Sequence, residues 1–467
     1  MRITVGIQQS KLETDNPKLF KALQNIYTFK VPGASYSPQY RAGRWDGKKR
    51  FITNAGKFRS GLLDSVLKTL EKIECFPEIV IESPKDNSNT KKLRNIEGFT
   101  YYKYQKELIQ EAIQEGRGVI KSPTGSGKTL IMTGLLKSIY EPGMKVVLLV
   151  NSKQLLHQNY EFLTECGFTV GRCSGEGYEY GDIMICTVQS IEKIIDTHLD
   201  ETEILLVDEC HEFCSGDTTV AAIQAFPNAQ WRFGFTATPP PDEIPLHNLL
   251  GAFGKILESV NTSELVEEGT LAKPHISIIE REYTASSNDI DMSYLEVYDN
   301  YIVNNEERNE IIVNLVRRIA KNGRRNRILI LTKQLDHGRL LEENLAEFRA
   351  EFLEGADSLG ERYKSINRFT TQDRSSVLIG TKILQTGVNI REITHFINAR
   401  GMKSEIATIQ ALGRALRTHE DKDEVYVYDF KDKEKYLLQH SNKRIKHYKN
   451  EGHLVEIFDE ESYRSET

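Results

Sequence analysis

Short apolar runs alternate with longer amphipathic segments through most of the 467-residue chain. In the first half of this pattern the runs are strand-sized, and the segments between them have the apolar spacing of helices. Parallel βαβ units with right-handed crossovers produce this order, because helices then cover both faces of a buried sheet. We therefore predict strands at Gly118–Lys121, Lys145–Val150, Asp182–Cys186, Glu203–Val207 and Arg232–Phe235, and helices at Lys128–Tyr140 and Gln154–Cys166.

The pattern breaks at the three prolines of residues 239–241 and then resumes. The second series is predicted to contain a helix near Glu306–Lys321 and strands at Arg327–Leu331, Ser376–Ile379, His395–Asn398 and Glu424–Tyr428. Ser83–Arg94 is polar, contains a proline and lacks apolar periodicity, as linkers do. A chain of this length is too long to fold around a single hydrophobic core, so more than one domain is expected. We predict an α/β protein with an amino-terminal domain and linker (1–94), a first α/β domain (95–262) and a second with a helical tail (263–467).

The amino-acid composition favours a globular protein over a membrane-spanning or secreted one. Hydrophobic residues make up 39% and charged residues 27%, as in globular proteins. The longest aliphatic stretches, such as Val146–Val150, are too short to span a membrane, and residues 1–10 do not have the pattern of a secretory signal. Six scattered cysteines favour a reduced, cytoplasmic protein. Cys210, His211 and Cys214 form a small cluster, which is weak evidence for a metal site without a second cysteine pair.

Charge is distributed unevenly, although the net charge is only −6. Residues 1–94 contain 18 Lys+Arg and 9 Asp+Glu, so this part carries +9 and the remaining chain −15. A basic amino-terminal part on an acidic body predicts that polyanion binding is concentrated at the amino end.

The basic part interleaves cations with aromatic residues. Cations neutralise phosphates and exposed aromatic rings stack on unpaired bases, which makes this a candidate DNA-binding surface. The predicted DNA-binding residues are Arg41, Arg44, Trp45, Lys48, Lys49 and Arg50. A Trp-Asp-Gly turn is expected to present Lys48–Arg50 at a hairpin tip. The alternative is that Trp45 is a core residue of a small α+β domain and the charges are only solvated.

Residues 121–129, KSPTGSGKT, match a phosphate-binding loop between a strand and a helix. Glycines there let consecutive backbone N–H groups point at a phosphate, the lysine contacts the β and γ oxygens, and the last threonine ligates Mg²⁺. Ser122 occupies the position of the usual first glycine, and a glycine turn capping an ordinary helix is the alternative. The predicted nucleotide-binding residues are Ser122, Thr124, Gly125, Ser126, Gly127, Lys128 and Thr129.

An apolar run ends in Asp208-Glu209. At the carboxyl end of a buried strand downstream of the loop, Asp208 is placed to hold Mg²⁺ and Glu209 to orient or deprotonate the attacking water. A pair of solvated acids is the plain alternative. Gln410, Arg414 and Arg417 share one face of a predicted helix in the second series, which has no phosphate loop of its own. They are candidates for stabilising the γ-phosphate charge, against the alternative of a solvated cationic face.

These blocks, in this order, resemble the superfamily 2 helicases and translocases from about residue 98 to 435. The match also includes Tyr104-Gln105, Ile185–Ser190, Thr236–Pro239 and Gly380–Asn389. A closer similarity is to phage UvsW-type branch-migration helicases. Its marks are Tyr36–Phe51, Asn304–Asn309 with Arg308, Lys403–Glu405, and the tail His440 to Lys449 with Arg444 and Tyr448.

The resemblance implies two tandem RecA-like domains, with the phosphate loop in the first only, and an ATP- and Mg²⁺-dependent enzyme. It implies that Gln105 reads adenine, that Arg414 and Arg417 act as arginine fingers, and that Thr187 and Thr381 touch the nucleic-acid backbone. Coupling roles fall on Thr236, Thr238, Gly387 and Asn389. Gln385 and Asn389 stand where many relatives have acids, which puts the strength of coupling in question.

The sequence thus favours an ATP-driven DNA helicase that unwinds and branch-migrates forked or joined duplexes, moving 3′ to 5′ by resemblance. We expect a monomer that binds DNA and no membrane. An RNA helicase is the first alternative, because the motor motifs do not identify the sugar. A nucleotide-gated DNA-binding or annealing module is another, and the motor subunit of a restriction or repair nuclease is a third.

Overall fold

A computed structural model describes residues 1–82, 91–258, 261–282, 291–322, 325–354, 357–381, 390–402, 412–413, 415–416, 418–419 and 422–464. The chain divides into two compact units, Met1–Ser122 with Gly127–Ser259, and Pro123–Ser126 with Val260–Thr467. The described helices are all too short or too polar to cross a membrane. The amino-terminal domain belongs to the first unit, and the domain boundaries predicted above stay predictions.

The amino-terminal domain is a small α+β structure. Its elements are β1 (Arg2–Val5), β2 (Gln9–Glu13), α1 (Pro17–Ile26), β3 (Thr28–Lys30), α2 (Pro38–Arg41), β4 (Lys48–Arg50), β5 (Lys57–Arg59), α3 (Leu63–Glu71) and β6 (Glu78–Ile81). Four strands form a sheet in the order β5-β2-β1-β6. Helix α1 begins after Asn16, whose side chain accepts hydrogen bonds from Lys18 N and Leu19 N. Ile3, Leu12 and Val66 are part of the buried core.

Lys48–Arg50 lie in a strand, so the expectation that they form a hairpin tip is wrong. They pair antiparallel with Thr28–Lys30 as β4 and β3. The turn comes earlier, because Gly47 has φ +74° and its carbonyl accepts from Val31 N. Asp46 supports the turn by accepting from Lys48 N at 3.2 Å.

The first α/β domain has an eight-stranded sheet. Its elements are α4 (Lys103–Glu115), β7 (Arg117–Lys121), α5 (Lys128–Ile139), β8 (Lys145–Val150), α6 (Lys153–Glu165), β9 (Val170–Ser174), β10 (Gly177–Glu179), β11 (Ile183–Thr187), α7 (Ile195–His198), β12 (Thr202–Asp208), α8 (Asp217–Ile223), β13 (Trp231–Thr236), α9 (Glu243–Phe253) and β14 (Ile256–Glu258). The strand order is β10-β9-β11-β8-β12-β13-β7-β14, parallel except for β10. The predicted strands and helices are confirmed to within a residue or two.

The amino-terminal domain packs directly on the first α/β domain. The ring of His247 in α9 lies 4.4 Å from that of Phe29 and 5.1 Å from that of Phe51. Arg59 donates to Gln224 Oε1 at 2.7 Å. Arg117 donates to Ile7 O at 3.1 Å. The contact therefore combines ring packing with hydrogen bonds from two arginines.

The second α/β domain lies in the second unit. Its elements are α10 (Thr262–Glu267), β15 (Lys273–Glu280), α11 (Tyr294–Tyr298), α12 (Glu306–Lys321), β16 (Arg327–Leu331), α13 (Leu335–Asn344), β17 (Glu351–Leu353), α14 (Leu359–Thr371), β18 (Ser376–Gly380), β19 (His395–Asn398), β20 (Glu424–Lys431), α15 (Leu437–Asn450), β21 (Val455–Asp459) and α16 (Glu461–Arg464). Seven strands form a sheet in the order β17-β18-β16-β19-β20-β15-β21, in which each described pairing is parallel. Ile312, Ile330 and Ile379 are part of its core. The expected α/β fold is confirmed.

Gly61 marks the closest approach of the amino-terminal domain to α9. A Cβ atom there would lie 2.2 Å from Leu250 O and 2.7 Å from Gly251 O. We expect Gly61→Ala to destabilise the first unit by about 1–3 kcal/mol, the usual cost of overpacking. Thermal unfolding of the full chain measures this. Gly177→Ala is the matched control, because a Cβ there meets no atom within 4 Å; equal unfolding temperatures for the two variants would contradict the tight contact.

Candidate nucleotide and nucleic-acid site

Three predicted groups meet at the carboxyl edge of the first α/β sheet. Strand β7 leads into the phosphate loop, β12 ends at Asp208 and β13 ends at Thr236, and these strands are neighbours in the order β12-β13-β7. Ser122 N donates to Thr236 O at 3.0 Å, which fixes the start of the loop to the end of β13. In parallel sheets this edge is where ligands bind.

The phosphate loop has the backbone that its glycines permit. Gly125 has φ +90° and Gly127 has φ +79°, in the left-handed region that favours glycine. Ser126 donates from its amide and its hydroxyl to Pro123 O, at 3.2 and 2.6 Å. Helix α5 then begins at Lys128 without a side-chain cap, so its first amides are available to an anion.

Lys128 and the two acids lie together. Lys128 Nζ is 3.7 Å from Glu209 Oε1, and both side chains are largely buried. Glu209 has φ +48°, which is rare for a residue other than glycine. Such backbone strain is concentrated at functional sites, where neighbouring structure holds it in place. The strain turns the chain immediately after β12, at the point where the acids are needed.

Asp208 is buried, and burial is the main cause that raises its pKa to about 6. The adjacent Glu209 charge raises the pKa further, whereas Lys128 lowers it. Asn159 Nδ2 donates to Asp208 Oδ2 at 3.3 Å. Sequence reasoning missed Asn159. The available signal was a polar residue in the buried stripe of α6 that Leu156 and Leu163 define.

His211 connects the acids to the end of β13. Its Nδ1 lies 2.9 Å from Thr236 Oγ1 and 3.5 Å from Glu209 Oε2. Thr238 N donates to Thr236 Oγ1 at 3.1 Å. Burial lowers the pKa of His211, which keeps its ring neutral near pH 7. Sequence reasoning had considered His211 only for a metal site, and its link to Thr236 was not foreseen.

The small cysteine–histidine cluster does not form a metal site among the described residues. Burial raises the pKa of both Cys210 and Cys214. Cys214 Sγ instead donates to Cys210 O at 3.1 Å. The two buried thiols thus belong to the packing of the turn that follows Asp208 and Glu209.

Gln105 borders the phosphate loop. A Cβ atom on Gly127 would lie 2.7 Å from Gln105 Nε2. Gln105 is buried, and its Oε1 accepts from Tyr102 N at 3.0 Å. Tyr102 is exposed and stacks on Tyr104 with ring centroids 5.8 Å apart. Tyr102 was not predicted, and it adds an exposed ring next to Gln105.

The other predicted motor residues divide into two groups. Thr187 is buried and donates to Ser190 Oγ at 3.1 Å, and Thr381 is half-buried after β18. Neither shows a nucleic-acid role directly, so both roles stay predictions. The positions that lie outside the described residues are Gln385, Gly387, Asn389, Gln410, Arg414 and Arg417.

The cations of the amino-terminal domain differ in availability. Arg41, Arg44 and Lys48 are exposed, and Tyr36 and Tyr40 beside them expose 77% and 40% of their surface. We call these five residues the basic patch.

The other three predicted DNA-binding residues are engaged within the domain. Arg50 pairs with Asp46, and Trp45 Nε1 donates to Lys48 O at 2.9 Å. Lys49 is half-buried, and burial lowers its pKa. Arg41 Nε also donates to Ser35 O at 3.1 Å, so of the six Arg44 and Lys48 are the best placed to meet a phosphate, with exposed Arg41 near them in the chain.

The raised pKa of Asp208 has a measurable consequence for stability. An unfolded aspartate has a pKa near 3.8, against about 6 in the fold. A raised carboxyl pKa stabilises the fold at low pH, and this contribution is lost as the pH rises to about 6. We therefore expect nucleotide-free Asp208→Asn to unfold at a higher temperature than wild type at pH 8. Its free energy of unfolding should be larger by at most about 3 kcal/mol, and this difference should shrink towards pH 4.

Asp182→Asn is the control for this measurement. Lys145 lowers the pKa of Asp182 through a hydrogen bond and its charge, so removing that carboxylate cannot stabilise the fold at pH 8. A lower unfolding temperature for Asp208→Asn at pH 8, or a difference that does not change with pH, would contradict the raised pKa.

Three family models match this chain in separate segments. Residues 6–77 match "DNA helicase UvsW, N-terminal". Residues 98–241 match "Type III restriction enzyme, res subunit". Residues 307–419 match "Helicase conserved C-terminal domain".

Whole-chain relatives agree with these segments. The ATP-dependent DNA helicase uvsW of Enterobacteria phage T4 is 22% identical over 92% of this chain and 94% of its own length. Putative helicase 22 of Sulfolobus islandicus filamentous virus is 23% identical over 76% of this chain and 68% of its own.

Solved structures share the fold. A fragment of a putative HsdR subunit of a type I restriction enzyme from Vibrio vulnificus aligns with a TM-score of 0.61 and 16% identity, over 80% of this chain and 72% of that one. Dbp5 of S. cerevisiae, bound to RNA and ADP BeF3, aligns with a TM-score of 0.53 and 16% identity, over 76% of this chain and 90% of that one. The matched segments and the similarity to a phage helicase over 92% of the chain indicate a helicase of superfamily 2 whose amino-terminal domain is similar to that of UvsW, and the solved structures show a shared fold.

Proposed function

We propose that this enzyme uses ATP hydrolysis to unwind and branch-migrate branched DNA. One observation carries the proposal: the buried Asp208–Glu209 pair lies beside Lys128 and is linked through His211 to Thr236. This arrangement provides the groups for ATP hydrolysis and a series of contacts that connects them to Thr236 at the end of β13. The similarity to a phage DNA helicase over nearly the whole chain supports DNA as the substrate.

ATP binding follows from the loop. The amides at the start of α5 and the Lys128 ammonium are the groups that would hold the β- and γ-phosphates. Gln105, held by the Tyr102 amide, borders the loop and supports adenine recognition. Exposed Tyr102 offers a ring on which a base can stack.

The oxygen donors of the site fit Mg²⁺. The Thr129 hydroxyl and the Asp208 carboxylate are hard ligands of the kind that this ion prefers. When bound, Mg²⁺ neutralises charge on the β- and γ-phosphates. Asp208 has to ionise to hold the ion, so its raised pKa makes cation binding favour higher pH.

Glu209 is the candidate general base. Lys128 and neutral His211 flank its carboxylate, which keeps it oriented towards the loop. Because His211 also contacts Thr236 Oγ1, a change at Glu209 on hydrolysis reaches Thr236 and Thr238. This supports the coupling role of both threonines.

The basic patch is the candidate reader of DNA structure. It combines three exposed cations with two exposed tyrosines in the part of the chain, residues 1–94, that carries a net charge of +9. Because this domain packs directly on α9, we expect it to move together with the first α/β domain. We propose 3′ to 5′ movement by a monomer in the cytoplasm of the host cell, with Arg414 and Arg417 as arginine fingers.

Strand separation on three matched substrates tests the function. We expect ATP-dependent separation of a four-way junction and a fork mimic to exceed that of a simple tailed duplex, with Lys128→Ala inactive on all three. Equal rates on the tailed duplex would indicate a general helicase instead. DNA-stimulated hydrolysis without separation would indicate a duplex translocase, and stimulation by RNA alone would favour an RNA helicase.

The basic patch is tested by charge removal. We expect the triple change Arg41→Ala, Arg44→Ala and Lys48→Ala to weaken junction binding about tenfold or more, and to reduce the salt slope of binding by up to about 3. ATP hydrolysis without DNA should be unchanged.

The matched control removes three exposed lysines elsewhere on the same domain, Lys18, Lys21 and Lys72. If both triple variants weaken junction binding equally, the effect is general charge and the patch has no specific role.

A further inference from the structure

Helix α9 contacts the amino-terminal domain with one residue and the turn after the candidate catalytic acids with the next. The ring of His247 packs on the rings of Phe29 and Phe51, at centroid distances of 4.4 and 5.1 Å. Asn248 is buried, and its Nδ2 donates to Cys214 O at 2.8 Å. Adjacent residues of a helix project in different directions, so α9 joins these two partners.

The bond from Asn248 reaches the end of the turn that carries His211. Cys214 N donates to His211 O at 3.4 Å, and Cys214 Sγ donates to Cys210 O at 3.1 Å. His211 Nδ1 in turn lies 3.5 Å from Glu209 Oε2. Two residues, Cys214 and His211, therefore connect Asn248 to the candidate general base.

The other contact of α9 involves a strand that carries part of the basic patch. Phe29 lies in β3, and Phe51 directly follows β4. The two strands pair antiparallel, with Lys30 opposite Lys48. Lys48 is one of the two residues best placed to meet a phosphate, and in the chain it lies three residues before Phe51, whose ring packs on α9.

The same strand also lies near the segment that follows the turn. Lys49 of β4 is half-buried, and burial lowers its pKa, whereas the nearby charge of Asp217 raises it. Asp217 is the first residue of α8, three residues after Cys214. Strand β4 is therefore close to the start of α8 as well as to α9.

Asn248 places an amide among apolar side chains. Three residues that follow it in α9 belong to the core of the first α/β domain, namely Leu249, Ala252 and Phe253. A buried amide costs free energy unless it is hydrogen-bonded. The turn has local bonds of its own, since Glu212 N donates to Glu209 O at 3.0 Å. The bond from Asn248 therefore adds a link to α9 to a turn that is also bonded locally.

We propose that α9 couples DNA on the basic patch to ATP hydrolysis, with Asn248 as the positioning residue that links α9 to the His211–Glu209 pair. This rests on the proposed function, in which the patch binds DNA and Glu209 is the general base. DNA on Lys48 restrains β4, and the packed rings and the Asn248 bond carry that restraint to the turn. Stimulation by DNA then depends on a hydrogen bond that lies outside both sites.

Asn248→Leu tests the link, because leucine has a similar size and cannot donate a hydrogen bond. ATP hydrolysis is measured at saturating ATP, with and without a saturating four-way junction. We expect the DNA-stimulated kcat to fall about fivefold or more, because the coupling is lost. The rate without DNA and the Kd for the junction should stay within about twofold of wild type, because the local bonds of the turn and the basic patch are unchanged.

Asn326→Leu is the matched control. Asn326 is also buried, and its Nδ2 donates to a backbone oxygen, Ile319 O, at the same distance of 2.8 Å. It belongs to the second unit, so we expect wild-type stimulation. Equal loss of stimulation in the two variants would show a general effect of removing a buried amide, and the coupling would be wrong.

His247→Ala tests the other contact of α9 at a half-buried position, and it decides the matter if Asn248→Leu does not fold. We expect the same loss of stimulation with an unchanged rate without DNA. Unchanged stimulation in His247→Ala would contradict the coupling. An equal loss of hydrolysis with and without DNA, in either variant, would also contradict it, because the residue would then support the chemistry itself.

Combining Asn248→Leu with the triple change in the basic patch separates the coupling from the proposed function. If both act through α9, the combined variant at saturating DNA has no lower kcat than the more impaired of the two, whereas losses that multiply would refute the coupling. Wild-type hydrolysis that DNA does not stimulate would overturn the proposed function as well. A stimulated wild type with full stimulation in Asn248→Leu would overturn the coupling alone.

Discussion

The structure depends on burying a pair of carboxylates at the end of a parallel strand, beside one lysine. Burial raises the pKa of Asp208, and the opposing Lys128 charge limits that rise. An isolated buried acid of this kind disfavours the folded state, so the site is held by its surroundings. Asn159, the Glu209 amide and Lys128 supply that support from three different elements. A bound cation would add positive charge beside the two carboxylates to that of Lys128.

Residues at the same edge of the sheet connect the candidate catalytic carboxylate of Glu209 to the end of β13. Glu209 adopts a strained backbone, and His211 lies between its carboxylate and Thr236. Thr236 also accepts from the Thr238 amide at the start of the loop after β13. A chain of short, buried contacts transmits a change in charge better than solvated groups do, because the surrounding dielectric is low. Coupling therefore begins within the first α/β domain.

Sequence predicted the elements where local pattern was strong. Lys145–Val150 is a continuous aliphatic run, and Glu306–Lys321 follows an Asn305 cap, so both were placed at their observed bounds. Strand β9 was missed because Gly171 and Arg172 interrupt its apolar pattern. The short strand β4 was mistaken for a hairpin tip because its partner β3 lies 18 residues earlier in the chain.

In the candidate site, too, the residues that belong to a strong local pattern were predicted and the others were missed. Asp208 and Glu209 end an apolar run, and the loop has its own spacing, so both were visible in the sequence. Asn159 and Asp208 are 49 residues apart, and His211 and Thr236 are 25 apart. No local pattern indicates such pairs, because only the order of strands in the sheet brings them together.

At the amino edge of both α/β sheets, arginines bond to backbone carbonyls. In the first sheet this edge is opposite the one that carries the candidate nucleotide site. Arg117, Arg232 and Arg327 stand at the amino ends of β7, β13 and β16, and each donates to several backbone carbonyls. Many of these carbonyls lie at helix ends, among them Ala252 and Phe253 of α9. Helix carboxyl ends carry unpaired carbonyls and partial negative charge, which a buried guanidinium satisfies. In a parallel α/β sheet that arrangement leaves the helix amino ends, with their free amides and positive charge, at the carboxyl edge. In the first sheet, Arg117 and Arg232 thus satisfy helix carbonyls at the amino edge, and the free amides at the start of α5 lie at the carboxyl edge, where phosphate is expected to bind.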